Sequence, residues 1–296
     1  KRWLKLLARV SHSADFARPP SYNMLRPAQQ DMSQPLAEPA PQHHGAPGFF
    51  QIWSPSAPAG VGSFEITGSD FSQVLELVVK PGELVTAEPG TMLYMSSGMG
   101  LDADMGGLGQ GCKRCCCAGE SMFRLHLINQ SANDEKLALT PRFPAKIVPV
   151  DLRHHDGIVF NRGAFLAAIG KNWRVDITRV NSAGTCCFGG QGLFLNTLHG
   201  DGMVFLNAGG SVMTKVLAAG EQIIIDKHAL LAFEKTVTMS IRRTGGCMVC
   251  CCAGQGLFNT VLEGPGFVMV HTMSLQRLKT AVAMGSSGQA NTGGSS

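Results

Sequence analysis

The segment CCCAGQGLFNTVLEGPG, residues 250–266, decides the fold because two close variants of it occur earlier in the chain. The variants are CCFGGQGLFLNTLHGDG at 186–202 and CCCAGESMFRLHLINQS at 115–131. Aligned on Phe123, Phe194 and Phe258, the three copies lie 71 and 64 residues apart. Each copy is followed by an apolar run, and short apolar runs bounded by turn residues predict β-strands.

A second phrase also recurs along the chain. VLELVVKPGE at 74–83 matches VMTKVLAAGE at 212–221, and PAKIVPVD at 144–151 is a shorter middle copy without the Gly-Glu pair. A period near 65–70 residues is longer than the unit of a simple solenoid. We therefore predict an all-β fold of three tandem β-repeats.

Glycine pairs follow two of the quoted segments. Gly200-Asp201-Gly202 and Gly264-Pro265-Gly266 each separate two apolar runs. Glycine adopts positive φ without steric cost, so these pairs predict tight hairpin turns.

The composition excludes several classes of protein. Hydrophobic residues make up 44% of the 296 residues and charged residues 16%, which is typical of a globular protein. Residues 1–10 carry four basic side chains, and the rest of the chain carries equal numbers of basic and acidic ones, 21 of each. Because nucleic-acid binding depends on neutralising phosphates, this balance predicts no nucleic-acid partner. No run of 18 apolar residues occurs, which predicts no transmembrane segment.

The chain divides into three regions by composition. Residues 1–62 combine a basic amphipathic start, KRWLKLLARV, with seven prolines between 27 and 62, and we predict a basic leader and proline-rich linker that is largely disordered. Residues 63–280 form the predicted three-repeat β-domain, and 281–296 a flexible tail. The arginine-rich, acid-poor start is typical of an organelle transit peptide, although a surface helix or an untranslated remnant also fits the pattern.

Several phrases resemble those of one known family. They are EPGTMLYMSS (88–97), IVPVDL (147–152), NRGAFLAA (161–168), GGQGLF (189–194) and AGQGLF (253–258). The chain resembles the altered inheritance of mitochondria family over roughly 64–278. The resemblance implies a fold of the tryptophan RNA-binding attenuator protein superfamily, with three repeats around a pseudo-threefold axis. It also implies a role in mitochondrial inner-membrane organisation and no established enzyme activity.

The ten cysteines depart from the family pattern. Cys112, Cys115, Cys247 and Cys250 belong to two CxxCCC tracts, and CxxC spacing can place two thiolates on one metal ion. The alternative is that these cysteines act as small buried apolar residues. Adjacent cysteines on a strand point to opposite faces, which favours the packing interpretation. Vicinal thiols in a long chain also indicate a reducing compartment.

Other polar motifs give weak signals for chemistry. GGLGQG (106–111) and GGQG (189–192) lack the lysine of a phosphate-binding loop, so we interpret them as turns. His154-His155-Asp156 precedes a glycine and predicts a solvated turn. Glu83, Glu88 and Glu221 lie beside turns, where carboxylates accept backbone amides. No nucleophile elbow or triad is recognisable, and we predict no enzyme activity and no cofactor.

These observations favour a non-enzymatic β-scaffold with protein partners or self-association, peripheral to the mitochondrial inner membrane. The alternative function is a small-ligand or metal-binding module that uses a pocket or the cysteine tracts between repeats. The alternative location, if the leader is not a transit peptide, is the cytoplasm.

Overall fold

The computed structural model describes residues 49–53, 64–69, 71–104, 124–161, 163–179, 194–243 and 258–287. The chain divides into two compact units, 1–41 and 42–296, and all the described residues belong to the second.

Most of the described residues lie in strands, with one 3-10 helix at Leu152–His154 and one α-helix near the C-terminal end. The elements are β1 (Gln51–Ile52), β2 (Phe64–Ser69), β3 (Ser72–Val79), β4 (Leu84–Ala87), β5 (Met92–Met95), β6 (Met99–Asp104), β7 (Arg124–Asn129), β8 (Glu135–Leu139), β9 (Lys146–Asp151), β10 (Ile158–Asn161), β11 (Phe165–Ile169), β12 (Trp173–Arg179), β13 (Phe194–Gly200), β14 (Met203–Ala208), β15 (Val212–Leu217), β16 (Gln222–Ile225), β17 (Leu230–Glu234), β18 (Thr238–Arg243), β19 (Phe258–Glu263), β20 (Gly266–His271) and α1 (Leu275–Ser287). The prediction of a predominantly β protein is confirmed.

Alternating side chains explain why these segments are strands. In β3, Leu75, Leu77 and Val79 are buried, whereas Val78 between them is 38% exposed. A period of two places one set of side chains on the core face of a sheet. The aligned residues Phe194 and Phe258 begin β13 and β19, and Phe123 lies outside the described residues.

The strands of the described residues form four antiparallel sheets. Their orders are β1-β15-β20-β17-β10-β13-β12, β6-β7-β4-β11-β14-β9, β2-β3-β8-β5 and β16-β19-β18. Within the run β3 to β8, β8 lies between β3 and β5, and β7 lies between β4 and β6. Besides β1 with β15, two pairs, β4 with β11 and β10 with β17, join strands that are far apart along the chain. Antiparallel sheets of this kind need no crossover helices, which is why short turns suffice between neighbouring strands.

The two glycine pairs make the predicted hairpin turns. Gly200, the last residue of β13, and Gly202, just before β14, have φ of 108° and 144°, and Gly266, the first residue of β20, has φ of 142°. A Cβ atom at Gly200 would overlap the carbonyl oxygen of Asn172. Glycine is therefore required at this turn for both its backbone angle and its lack of a side chain.

Three clusters of buried apolar side chains form the core. The first includes Phe160 and Leu206, the second Leu127 and Phe205, and the third Leu262. The Phe205 ring meets the edge of Phe64, with ring centroids 5.0 Å apart. This contact packs the first residue of β2 against the second cluster.

Two elements of the structure lie within the terminal regions of the predicted division. The segment 1–62, predicted to be largely disordered, contains β1, which pairs with β15 through Gln51 and Thr214. The predicted flexible tail 281–296 begins inside α1, which runs on to Ser287. The helix starts where the Ser274 hydroxyl accepts the Arg277 backbone N–H at 3.2 Å, a capping contact that favours a helix over the predicted coil.

Candidate functional site

An open cleft of about 330 Å³ lies between three turns, those joining β3 to β4, β11 to β12 and β13 to β14. Val78, Ile169 and Met203 supply its apolar lining, and its charged residues include Arg153 and Lys171. This volume is at the lower end of the range for small-molecule sites, which also enclose most of their ligand. The cleft is therefore a shallow, open surface with a mostly apolar lining.

Two of the charged groups at this cleft, Arg153 and Glu83, have structural partners. The Arg153 guanidinium donates to the Asp151 carboxylate at 2.6 Å, and these hydrogen bonds hold the pKa of Asp151 below its ordinary value. Glu83, which also lines the cleft, accepts the Lys80 backbone N–H at 2.9 Å. These two carboxylates therefore serve a turn and an ion pair.

A buried ion cluster lies where β4 pairs with β11. The Arg124 guanidinium lies 3.7 Å from one Glu88 carboxylate oxygen, and Arg142 lies 3.7 Å from the other. The side chains of Glu88 and Arg124 are 8% and 6% exposed, whereas that of Arg142 is 47% exposed. Arg124 also covers the ring of Phe165 at 4.1 Å from the centroid, a cation–π contact. The cluster fixes the junction between β4 and β11.

A second buried polar group lies at the end of β20. His271 is 5% exposed, and neither ring nitrogen makes a hydrogen bond with the described residues, although the backbone of His228 faces the ring. Burial lowers the pKa of His271 to about 4, so the ring is neutral near pH 7. Nearby, Arg277 of α1 lies 3.1 Å from the Asp226 carboxylate. Burial disfavours the charged form of Asp226, but the His228 backbone N–H and Arg277 hold its pKa below the ordinary value.

The predicted role of the turn glutamates is confirmed at two of three positions. Glu83 and Glu221 each accept the backbone N–H three residues earlier, from Lys80 and Ala218, at 2.9 Å. Glu221 also pairs with Lys215 at 2.7 Å. Glu88 instead belongs to the buried ion cluster.

The other predicted site residues come together nowhere in the described part of the chain. Cys112, Cys115, Cys247 and Cys250 lie outside the described residues, as do both glycine-rich loops. His154 is 63% exposed, in agreement with a solvated turn, whereas His155 is half-buried and contacts Glu234 at 2.9 Å. Within the described ranges, no group of three His, Cys, Asp or Glu side chains could hold a metal ion.

The sequence did not predict the pairing of Glu88 with Arg124 or the burial of His271. Arg124 follows directly on the aligned Phe123, and His271 lies in an apolar run. A charged or ionisable residue at a position expected to face the core was the available signal, because such residues are rarely buried without a partner.

These features define an antiparallel β protein in which several of the described charged groups serve turns, ion pairs and strand junctions. The chain belongs to the mitochondrial biogenesis AIM24 family, whose sequence pattern matches residues 64–273. An uncharacterized protein of Streptococcus pyogenes serotype M6 is 31% identical over 222 residues, which cover 72% of this chain and 87% of the relative.

A crystal structure of another Streptococcus pyogenes protein has a similar fold. Its TM-score is 0.60 at 28% identity, and the match covers 75% of this chain and 98% of the bacterial one. No helix in the described part of this chain is long and apolar enough to cross a membrane.

Proposed function

We propose that the chain is a non-enzymatic β-scaffold for mitochondrial organisation, built from three six-strand units around a pseudo-threefold axis. One observation carries the architecture. In the run β3–β8, β8 lies between β3 and β5, and β7 lies between β4 and β6. The same pattern recurs in the run β9–β14, where β14 lies between β9 and β11, and β13 lies between β10 and β12. It recurs again as β20 between β15 and β17 with β19 between β16 and β18.

Local details at corresponding places support this architecture. The pairings β5–β8, β11–β14 and β17–β20 each contain a register shift, between Met92 and Tyr94, Phe165 and Ala167, and Leu230 and Ala232. Such β-bulges are specific features that homologous units retain. One irregularity at the same place in three strand pairs therefore favours one ancestral unit.

Backbone hydrogen bonds recur at the end of each unit as well. The N–H of Thr140 donates to Thr91 at 2.7 Å, that of Asn207 to Ala164 at 2.6 Å, and that of His271 to Ala229 at 2.9 Å. These residues lie within one residue of the C-terminal ends of β8, β14 and β20, the last strand of each proposed unit. An arrangement of three such units is the one that the tryptophan RNA-binding attenuator superfamily uses, which supports the resemblance seen in the sequence.

The use of the charged groups supports a scaffold. The buried carboxylate of Glu88 faces two arginines, and the carboxylates near the cleft accept turn amides or pair with Arg153. Catalysis requires polar groups that remain available to a substrate. The mitochondrial part of the proposal is supported by the description of the family and by the basic, acid-poor start of the chain.

Depletion and rescue in the cell of origin tests the proposed role. We expect loss of the protein to alter the shape of the inner membrane in electron micrographs, and the wild-type chain to restore it. A variant with Lys171→Ala and Asp201→Ala, which neutralises exposed charges at the cleft, should restore it equally well. If this folded variant fails to rescue, the cleft performs chemistry or binding and the scaffold proposal is wrong.

Location has a separate test. A fluorescent protein fused to residues 1–30 should enter mitochondria, and the full chain should fractionate with the inner membrane. Diffuse fluorescence together with a full chain absent from the mitochondrial fraction would refute the location.

A further inference from the structure

The strand β1 lies before the part of the chain that matches the family, yet it is bound to the fold. The family pattern begins at residue 64, the first residue of β2, whereas β1 covers Gln51–Ile52. β1 pairs antiparallel with the edge of β15, and the Trp53 backbone N–H donates to the Val212 carbonyl oxygen at 2.8 Å. The Trp53 side chain is partly buried against the first core cluster. β1 is therefore attached to the third of the proposed units, which runs from β15 to β20.

The sequence of β1 and its neighbours resembles that of β2. FQIW at 50–53 corresponds to FEIT in β2, with Phe and Ile in the same order. Ile66 of β2 lies opposite Leu75 of β3. Ile52 of β1 lies opposite Met213 of β15, which takes the place of Leu75 in the recurring phrase VMTKVLAAGE. β1 thus occupies on the third unit the place and the register that β2 occupies on the first.

Fewer contacts hold β1 than hold β2. β2 pairs with β3 over six residues, and β1 pairs with β15 over two. Ile52 is 73% exposed, whereas its counterpart Ile66 is partly buried against the second core cluster. Segments with few buried apolar contacts open at a lower free energy than the rest of a fold. β1 can therefore leave β15 while the sheets stay folded.

Strand ladders hold two of the three junctions between the proposed units. β4 of the first unit pairs with β11 of the second, and β10 of the second pairs with β17 of the third. The corresponding strands of the third and first units are β16 and β5, and among the described strands these pair only with β19 and β8. Leu93 of β5 is 52% exposed and Ile224 of β16 is 51% exposed. In the described part of the chain, the junction of the third and first units therefore has no ladder of its own.

β1 connects these same two units. It is bound to β15 in the third unit, and residues 54–63 join it to β2, which pairs with β3 in the first. A short connection keeps the joined groups at a high effective concentration, roughly millimolar, which falls as the connection lengthens. Docking of β1 therefore favours contact between the third and first units.

We propose that residues 50–53 form a clasp, which docks on β15 and holds the third unit against the first, so that β16 stays beside β5 of the same chain. Release of the clasp opens this junction, while the ladders β4–β11 and β10–β17 keep the other two closed. The inference rests on the three-unit architecture of the proposed function and is independent of the mitochondrial role.

Photo-crosslinking within the full chain measures whether the junction is closed. Tyr94 follows the register shift of β5 as Ala167 follows that of β11, and Ala167 lies opposite Ala87. Ala87 stands four residues after a Gly-Glu pair, and Ile225 holds that place in the third unit. A benzoylphenylalanine at position 94 should therefore crosslink to the peptide that contains Ile225. In an equal mixture of ¹⁴N and ¹⁵N chains, each crosslink should join segments of one isotope.

Two variants release or lengthen the clasp. Trp53→Pro removes the N–H that Val212 accepts and the side chain that packs on the core, and it should lose most of the crosslink with an unchanged circular dichroism spectrum. An insertion of about twenty Gly and Ser residues between Pro58 and Ala59 keeps β1 intact but lengthens the connection, and its yield should lie between those of Trp53→Pro and the wild type. Phe49→Ala, at a side chain that is 92% exposed, is the matched control and should keep the wild-type yield.

The outcomes separate the clasp from the architecture. A wild-type yield in Trp53→Pro would overturn the clasp and leave the three-unit architecture intact. A wild-type yield in the insertion variant, beside a loss in Trp53→Pro, would mean that β1 only supports β15, and would overturn the clasp too. A wild-type chain without the crosslink, or with crosslinks only between isotopes, would overturn both the clasp and the closed arrangement of three units.

Discussion

Replacement of Glu88 by glutamine tests whether burial sets the strength of the ion cluster at the junction of β4 and β11. The change removes one charge with little change in shape and leaves the Arg124 guanidinium, 6% exposed, without its carboxylate. Loss of one partner of a buried pair costs about 3–5 kcal/mol because the other charge stays buried. The Phe165 ring beneath Arg124 offsets part of this, up to about 2 kcal/mol. We expect the free energy of unfolding to fall by about 3 kcal/mol.

Arg142→Met is the matched control. Arg142 lies at the same distance, 3.7 Å, from the same carboxylate, but its side chain is 47% exposed. Exposed ion pairs contribute less than about 1 kcal/mol, and Arg142→Met should lower the free energy of unfolding by no more than that. Urea unfolding followed by tryptophan fluorescence measures both variants, and the Glu88→Gln midpoint should fall by about 1 M or more. Equal losses in the two variants would refute the role of burial.

Three further predictions concern His271, the core and the cysteines. Because the pKa of His271 is lowered to about 4 in the folded chain, its neutral form stabilises the fold fully above pH 6.5. As the pH falls from 6.5 towards 4, the free energy of unfolding should fall by about 3 kcal/mol in all. The urea midpoint of His271→Asn should change less with pH over this range than that of the wild type. An equal change of midpoint with pH in the two proteins would contradict the prediction. Phe205→Ala, at a fully buried ring against Phe64, should lower the free energy of unfolding by about 3–5 kcal/mol in the same assay, and a loss below about 1 kcal/mol would contradict the packing. Elemental analysis of protein purified without chelator should find no stoichiometric zinc or iron, whereas a metal lost in Cys115→Ser and Cys250→Ser variants would establish the metal-binding alternative.

Local signals made the strands and turns predictable from the sequence. Alternating Leu75, Leu77 and Val79 specify a strand with one buried face, and Gly200 and Gly202 specify the turn that follows β13. Such patterns act over a few residues and need no knowledge of the partner strand. The turn-capping carboxylates were predictable for the same reason, since acceptor and donor are three residues apart.

The ion cluster and the buried histidine depend on contacts between distant parts of the chain. Glu88 meets Arg124 only because β4 pairs with β7, and Phe165 reaches them only because β4 also pairs with β11. His271 is buried by packing that brings α1 and the residues before β17 around it. The helix over 281–287, within the predicted tail, also depends on a residue outside that segment, because Ser274 caps its start.

The pairing of β4 with β11 and of β10 with β17 has a consequence for synthesis on the ribosome. Val85 of β4 cannot pair until Ile169 has been synthesised, and Val159 of β10 cannot pair until Phe233 has been synthesised. Each of these strands therefore leaves the exit tunnel with one edge that only later sequence can cover. At ordinary translation rates that interval lasts several seconds, far longer than a hairpin needs to form. During these two intervals the nascent chain exposes an unpaired strand edge. Chaperone contact should therefore concentrate at those stages of synthesis.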